Sequence, residues 1–142
     1  MNDKAENDKS KFDWVTERSS CSLPRVFATL RQQVEEDIKI RNELRPKNSP
    51  YEFSVAEKGD DFTVILKAKD LEKSVTFSLA EHAILVRNDD DNDSAHDKGK
   101  PMFQVTITFN DKGECKLHAN EEQRDFWQVR RMALEGLLFH HA

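Results

Sequence analysis

The chain has 142 residues, of which 35% are charged and 37% hydrophobic, and its formal net charge is −5. That length suits one domain able to bury its own core. Acids outnumber bases and the two are interspersed, which speaks against nucleic acid as a partner, and no run approaches the roughly 20 apolar residues that span a bilayer.

Residues 1–20 mix Lys, Asp, Glu, Asn and Ser without periodicity and read as a disordered tail. A single domain is expected over residues 21–142. Phe12, Trp14 and Val15 form a short apolar cluster in the tail, read as a loose contact with the domain or as a linear motif for a partner. The opening stretch MNDKAENDKSKFDWV has no apolar segment of the kind a signal peptide needs, so a cytoplasmic location is expected. Cys21 and Cys115 lack metal-type spacing and are expected to be free thiols in a reducing compartment.

A helix is predicted from Leu23 to Leu44. Ser22 suits its N-cap, and Pro24 falls in the first turn, where a missing N–H costs nothing. Leu23, Phe27, Leu30, Val34 and Ile38 recur three or four residues apart, with Leu44 further along, as one apolar stripe. Arg31, Gln32, Glu35, Glu36 and Lys39 form the opposite face. Pro46 and Pro50 forbid continuation.

The middle of the chain alternates with period two. Apolar residues recur at Tyr51, Phe53 and Val55, then at Phe62, Val64 and Leu66. The pattern continues through Val75, Phe77 and Leu79, a short run over Ala83–Arg87, Phe103 to Phe109, and Cys115 to Ala119. Period two with one apolar side predicts a sheet of about six strands buried on one face. The links at 57–61, 69–72, 80–82 and 110–113 are too short for parallel crossovers, so an antiparallel meander is expected. Residues 88–101, rich in Asp, read as a flexible acidic loop.

A second helix is predicted from Glu121 to Phe139, with Asn120 as N-cap and Gln123 as its capping-box partner. Phe126, Trp127, Val129, Ala133, Leu134, Leu137 and Leu138 give it a broad apolar face. A sheet of that width is covered by two helices on its apolar face. The expected fold is therefore a two-layer α+β domain, an antiparallel sheet with an N-terminal and a C-terminal helix on one side.

The chemistry-bearing residues assemble no site. Asp89, Asp91 and Asp93 have the spacing of a calcium loop, yet Ser94 replaces the turn Gly and Lys100 replaces the bidentate Glu. His82, His96, His118, His140 and His141 lack metal-ligand spacing. Cys115 is expected to face the core, which denies it the exposed thiolate of a nucleophile. Four glycines, at these spacings, make no phosphate-cradling loop. Neither a cofactor nor an enzymatic activity is expected.

Two surfaces remain as candidates. Trp127, Arg130, Arg131, Leu134 and Leu138 lie on the helix that is apolar around more than half its circumference, and Trp beside Arg is a typical interface anchor. The outward face of the sheet carries Thr63, Thr76, Thr106, Thr108, Ser74, Ser78 and Gln104, with Ile65 and Leu85 as apolar intruders. The leading expectation is a small interaction module that binds another protein, a second copy of the chain being one candidate partner. The alternative is a small-molecule carrier with a cavity between a curved sheet and the C-terminal helix.

Overall fold

The period-two segments pair into one antiparallel sheet in the computed structural model, which describes residues 11–90 and 101–139. Its strands are β1 (Glu52–Lys58), β2 (Asp61–Ala68), β3 (Leu71–Leu79), β4 (Ile84–Asp90), β5 (Phe103–Phe109), β6 (Cys115–Ala119) and β7 (Glu122–Arg124). They lie side by side in chain order, the predicted meander. The turns explain the order. β1 and β2 are joined by a two-residue turn that starts at Gly59, whose φ of 62° suits glycine. Gly113, with φ of 77°, closes the β5–β6 turn, where the Asn110 N–H donates to the Glu114 carbonyl.

Among the described residues there are seven strands rather than six, because residues 122–124 are not helical. Asn120 and Glu121 both have positive φ, 53° and 65°. Two successive left-handed residues make the hairpin turn whose twist matches paired strands. Ala119 then faces Glu122, and β7 completes the sheet. The C-terminal helix accordingly starts five residues later than the predicted Glu121. Its cap is Asp125, whose N–H donates to the Gln128 side chain at 2.7 Å, half of a capping box. Asn120 and Gln123 imitate that spacing five residues too early.

Three helices are described: α1 (Trp14–Ser20), α2 (Leu23–Leu44) and α3 (Phe126–Phe139). α2 matches its predicted bounds, with the Ser22 hydroxyl accepting from the Arg25 N–H at 3.4 Å. Val26, Phe27, Leu30, Val34 and Ile38 form its buried stripe, whereas Leu44 is exposed. α3 buries Val129, Ala133, Leu134, Leu137 and Leu138. Both helices pack on the apolar sheet face, in a core shared with Phe53, Phe62, Val64, Leu66, Phe77, Val86 and Val105. Phe62 lies at its centre, stacked on Phe77 at 4.6 Å and tilted against Phe27 at 5.2 Å.

Two expectations about the first part of the chain are corrected. Trp14–Ser20 is helical, not disordered. Asp13 caps it by accepting from the Thr16 N–H at 3.0 Å, and none of the helix's residues is buried. Residues 1–10 lie outside the described residues. Cys21 and Cys115 are not free thiols either, since they form a disulfide across 94 residues of chain. The sheet explains the meeting. The β5–β6 hairpin brings Cys115 to the sheet end where α2 begins, so residues remote in sequence become neighbours. Cys21 is buried, but Cys115 is exposed at its strand end rather than packed in the core. The expected acidic loop is shortened as well. Asn88, Asp89 and Asp90 continue β4 and pair with Val75, Ser74 and Lys73. Residues 91–100 of that loop lie outside the described residues.

The first sheet edge is covered by a side chain. Asn42, on the last turns of α2, donates to the Phe53 carbonyl at 2.8 Å and accepts from the Phe53 N–H at 3.2 Å. Its amide thus substitutes for a neighbouring strand at the edge of β1.

Candidate functional site

The five residues singled out on the C-terminal helix come together at one groove between α2 and α3. It encloses about 380 Å³ and is bordered by Trp127, Arg130, Arg131, Leu134 and Leu138, with Ile40, Leu44 and Phe139 completing its apolar lining. The helical repeat places them. Trp127, Arg130, Arg131, Leu134 and Leu138 recur three or four residues apart on α3, and Ile40 and Leu44 are one turn apart on α2. Leu134 and Leu138 are buried and make the floor rather than a rim. The exposed apolar surface comes from Trp127 at 53%, Leu44 at 71%, Phe139 at 55% and Ile40 at 44%. Four large apolar side chains left in water around one groove are more than a scatter of single exposed residues. Leu44 was assigned to the core by its spacing. Ile40 and Phe139 carried no signal beyond being apolar near a helix end.

The charges around the groove are mostly paired. Arg130 donates from Nε to Asp37 at 2.6 Å and from a terminal nitrogen to Gln33 at 2.7 Å. Both members of the Arg130–Asp37 pair are largely shielded, at 20% and 29% exposure, so the link ties α3 to α2. Arg131 pairs with Glu135 one turn along, on the exposed side. Arg41 differs. Its Nε donates to the Leu138 carbonyl at 3.0 Å, and its guanidinium carbon lies 5.1 Å and 5.0 Å from the ring centres of Phe53 and Phe139. Among the described residues no carboxylate pairs with it. The groove thus holds one guanidinium, fixed by two rings and a carbonyl, whose terminal N–H groups are unspent.

The outer sheet face is mostly satisfied by itself. The Thr63 and Thr76 hydroxyls meet at 2.9 Å, Thr76 also bonds the Asp89 carboxylate, and Thr108 meets His118 Nε2 at 2.8 Å. Ile65, Leu85 and Thr106 are half-buried, Gln104 is exposed, and Ser74 lies at the long limit of a hydrogen bond to Asp89. Ser78 is 8% exposed, and among the described residues its hydroxyl has no partner, like the Nε of Arg87. The row of Thr and Ser therefore hydrogen-bonds across strands more than it faces outward.

A depression of about 320 Å³ between the sheet and α3, bordered by Lys73, Asn88, Met102 and Met132, is open at the surface. A carrier of apolar ligands needs an enclosed chamber at that place. Among the described residues, no three His, Cys, Asp or Glu side chains gather as metal ligands, and no helix is long and apolar enough to cross a membrane. No family model, no curated protein and no solved structure matches this chain.

Proposed function

We propose that this chain is a non-enzymatic interaction module whose groove between α2 and α3 takes an amphipathic helix of another protein. The observation that carries the reading is the set of exposed Ile40, Leu44, Trp127 and Phe139 around a floor of Leu134 and Leu138. A third helix fits between two helices by the same packing that joins them, and partner helices seat through anchors three and four residues apart. From Trp127 to Phe139 the groove spans about 18 Å, or three helical turns. The charge pattern supports an acidic residue on the occupant. Asp37 and Glu135 already pair with Arg130 and Arg131, which leaves Arg41 for a carboxylate. The cytoplasmic location expected from the sequence gains no support from the Cys21–Cys115 bond, which a reducing thiol pool opposes.

The test uses a set of synthetic helical peptides that share a Leu face and differ at one flanking position, Glu, Gln or Lys. Titration calorimetry should show saturable binding, lost on Trp127→Ala, and at least about five-fold tighter for Glu than for Lys. Arg41→Glu should reverse that order. Equal affinity for all three peptides would remove the acidic preference and leave the groove. Absence of binding by every peptide would sink the reading. Concentration-dependent dimerisation abolished by Trp127→Ala would make a second copy the occupant instead.

A further inference from the structure

The Cys21–Cys115 bond joins two segments that otherwise hold each other weakly. α1 has seven residues, none of them buried, and a helix that short does not persist alone in water. Trp14 and Val15 are 61% and 55% exposed. A second attachment is Phe12, whose ring lies so close over Gly113 that a Cβ there would come within 2.5 Å of it. Arg18 donates to the Cys21 carbonyl at 2.9 Å, a contact internal to the segment that does not reach the sheet. Cys21 itself is buried at 1% exposure and Leu23 packs against the core, but residues 11–20 are all exposed. Breaking the bond therefore leaves Cys21 buried, with its Sγ 3.5 Å from the Thr108 carbonyl, while the exposed residues 11–20 keep the Phe12 ring over Gly113 as their described contact with the hairpin.

Access to the two sulfurs is unequal. Cys21 is 1% exposed, whereas Cys115 belongs to the exposed residues and borders an open hollow of about 160 Å³ with Ser20, Arg25, Thr29 and Phe126. An incoming thiolate reaches a disulfide from the accessible side. Arg25 beside the hollow is a cation that favours an anionic attacker.

We propose that Cys21–Cys115 is a thiol–disulfide exchange site whose reduction releases residues 11–20 from the β5–β6 hairpin while the two-layer core stays folded. The co-reactant is a dithiol. Its thiolate attacks Cys115 Sγ, the S–S bond breaks, and the electron pair leaves on Cys21 Sγ, which takes a proton. The second thiol of the reductant then attacks the mixed disulfide. The reductant departs as its own disulfide, and Cys115 leaves as a thiol. Two electrons and two protons pass to the chain. An oxidised dithiol reverses the steps. In the reduced state the freed segment lifts Phe12 off Gly113, and Trp14 and Val15 are exposed in both states.

The experiment uses the full chain. The oxidised protein has no free thiol, and dithiothreitol without denaturant should expose two, with the far-ultraviolet circular dichroism unchanged. Trypsin should then cut after Arg18 roughly ten-fold faster or more than in the oxidised form, because local opening governs cleavage. Cys115→Ser should show the fast cut with or without reductant. Should that variant fail to fold, the reduced wild type capped with iodoacetamide gives the same reading. Thiols that react only in denaturant, loss of the circular dichroism signal on reduction, or unchanged cleavage after Arg18 would each overturn the proposal.

Discussion

Asn42→Ala removes both hydrogen bonds that the α2 side chain makes to the Phe53 backbone, at 2.8 Å and 3.2 Å, without touching the core. Phe53 is 4% exposed, so its N–H and C=O lose a partner where water has little access. An orphaned buried backbone group costs about 1–3 kcal/mol, and a hydrogen bond replaced by water costs about 0.5–1.5 kcal/mol. Phe53 lies on an edge strand, where water can reach one of the two groups once the amide is gone. The expected loss is therefore about 2 kcal/mol, a sizeable share of the 5–15 kcal/mol that holds a domain together. With an urea slope of about 2 kcal/mol/M, the unfolding midpoint falls by about 1 M. Exchange of the Phe53 amide with deuterium should quicken about 30-fold while central β3 amides change only with global stability. An uncovered edge also invites pairing between chains, so the variant should associate at high concentration on a sizing column. A midpoint within about 0.2 M of wild type, with Phe53 exchange unchanged, would refute the claim that this side chain serves as an edge strand.

The groove predicts a contrast between its rim and its floor. Trp127→Ala should change stability by under about 1 kcal/mol because the ring is 53% exposed, while Leu134→Ala, at 2% exposure, should cost about 2–5 kcal/mol by urea unfolding. Glu121 occupies a left-handed turn position at φ of 65°, so Glu121→Gly, which creates an Asn-Gly turn, should stabilise by about 0.5–1 kcal/mol in the same assay. The Asp13 carboxyl is held below its ordinary value of 3.8, first by the Thr16 hydroxyl and then by the Thr16 N–H. A depressed carboxyl supports the folded form above its ordinary pKa, and that support is lost as pH falls through the lower folded value. Protection of the Thr16 amide should accordingly fade below about pH 4, and Asp13→Asn should remove that pH dependence.

Local signals carried far in this chain. Period-two alternation and short links determined an antiparallel meander with one buried face, because a strand alternates sides and a two-residue turn leaves no room for a crossover. The bounds of α2 were readable from Ser22, Pro24 and Pro46, which act on their own neighbours. Apolar excess on the last helix pointed to the right stretch of surface, since a helix wider in apolar area than its packing leaves a remainder. Other features needed the tertiary structure. β7 and the start of α3 turned on the backbone angles of Asn120 and Glu121, which the capping-like spacing of Asn120 and Gln123 obscured. Ile40 and Leu44 joined Trp127 only when α2 and α3 packed together, and Arg41 was singled out by the carboxylates that pair with its neighbours and not with it. The Cys21–Cys115 bond lay furthest from the sequence's reach. Spacing along a chain says nothing of separation in space, and only the packing of α2 against the β5–β6 hairpin brings those two residues within 5.3 Å between Cα atoms.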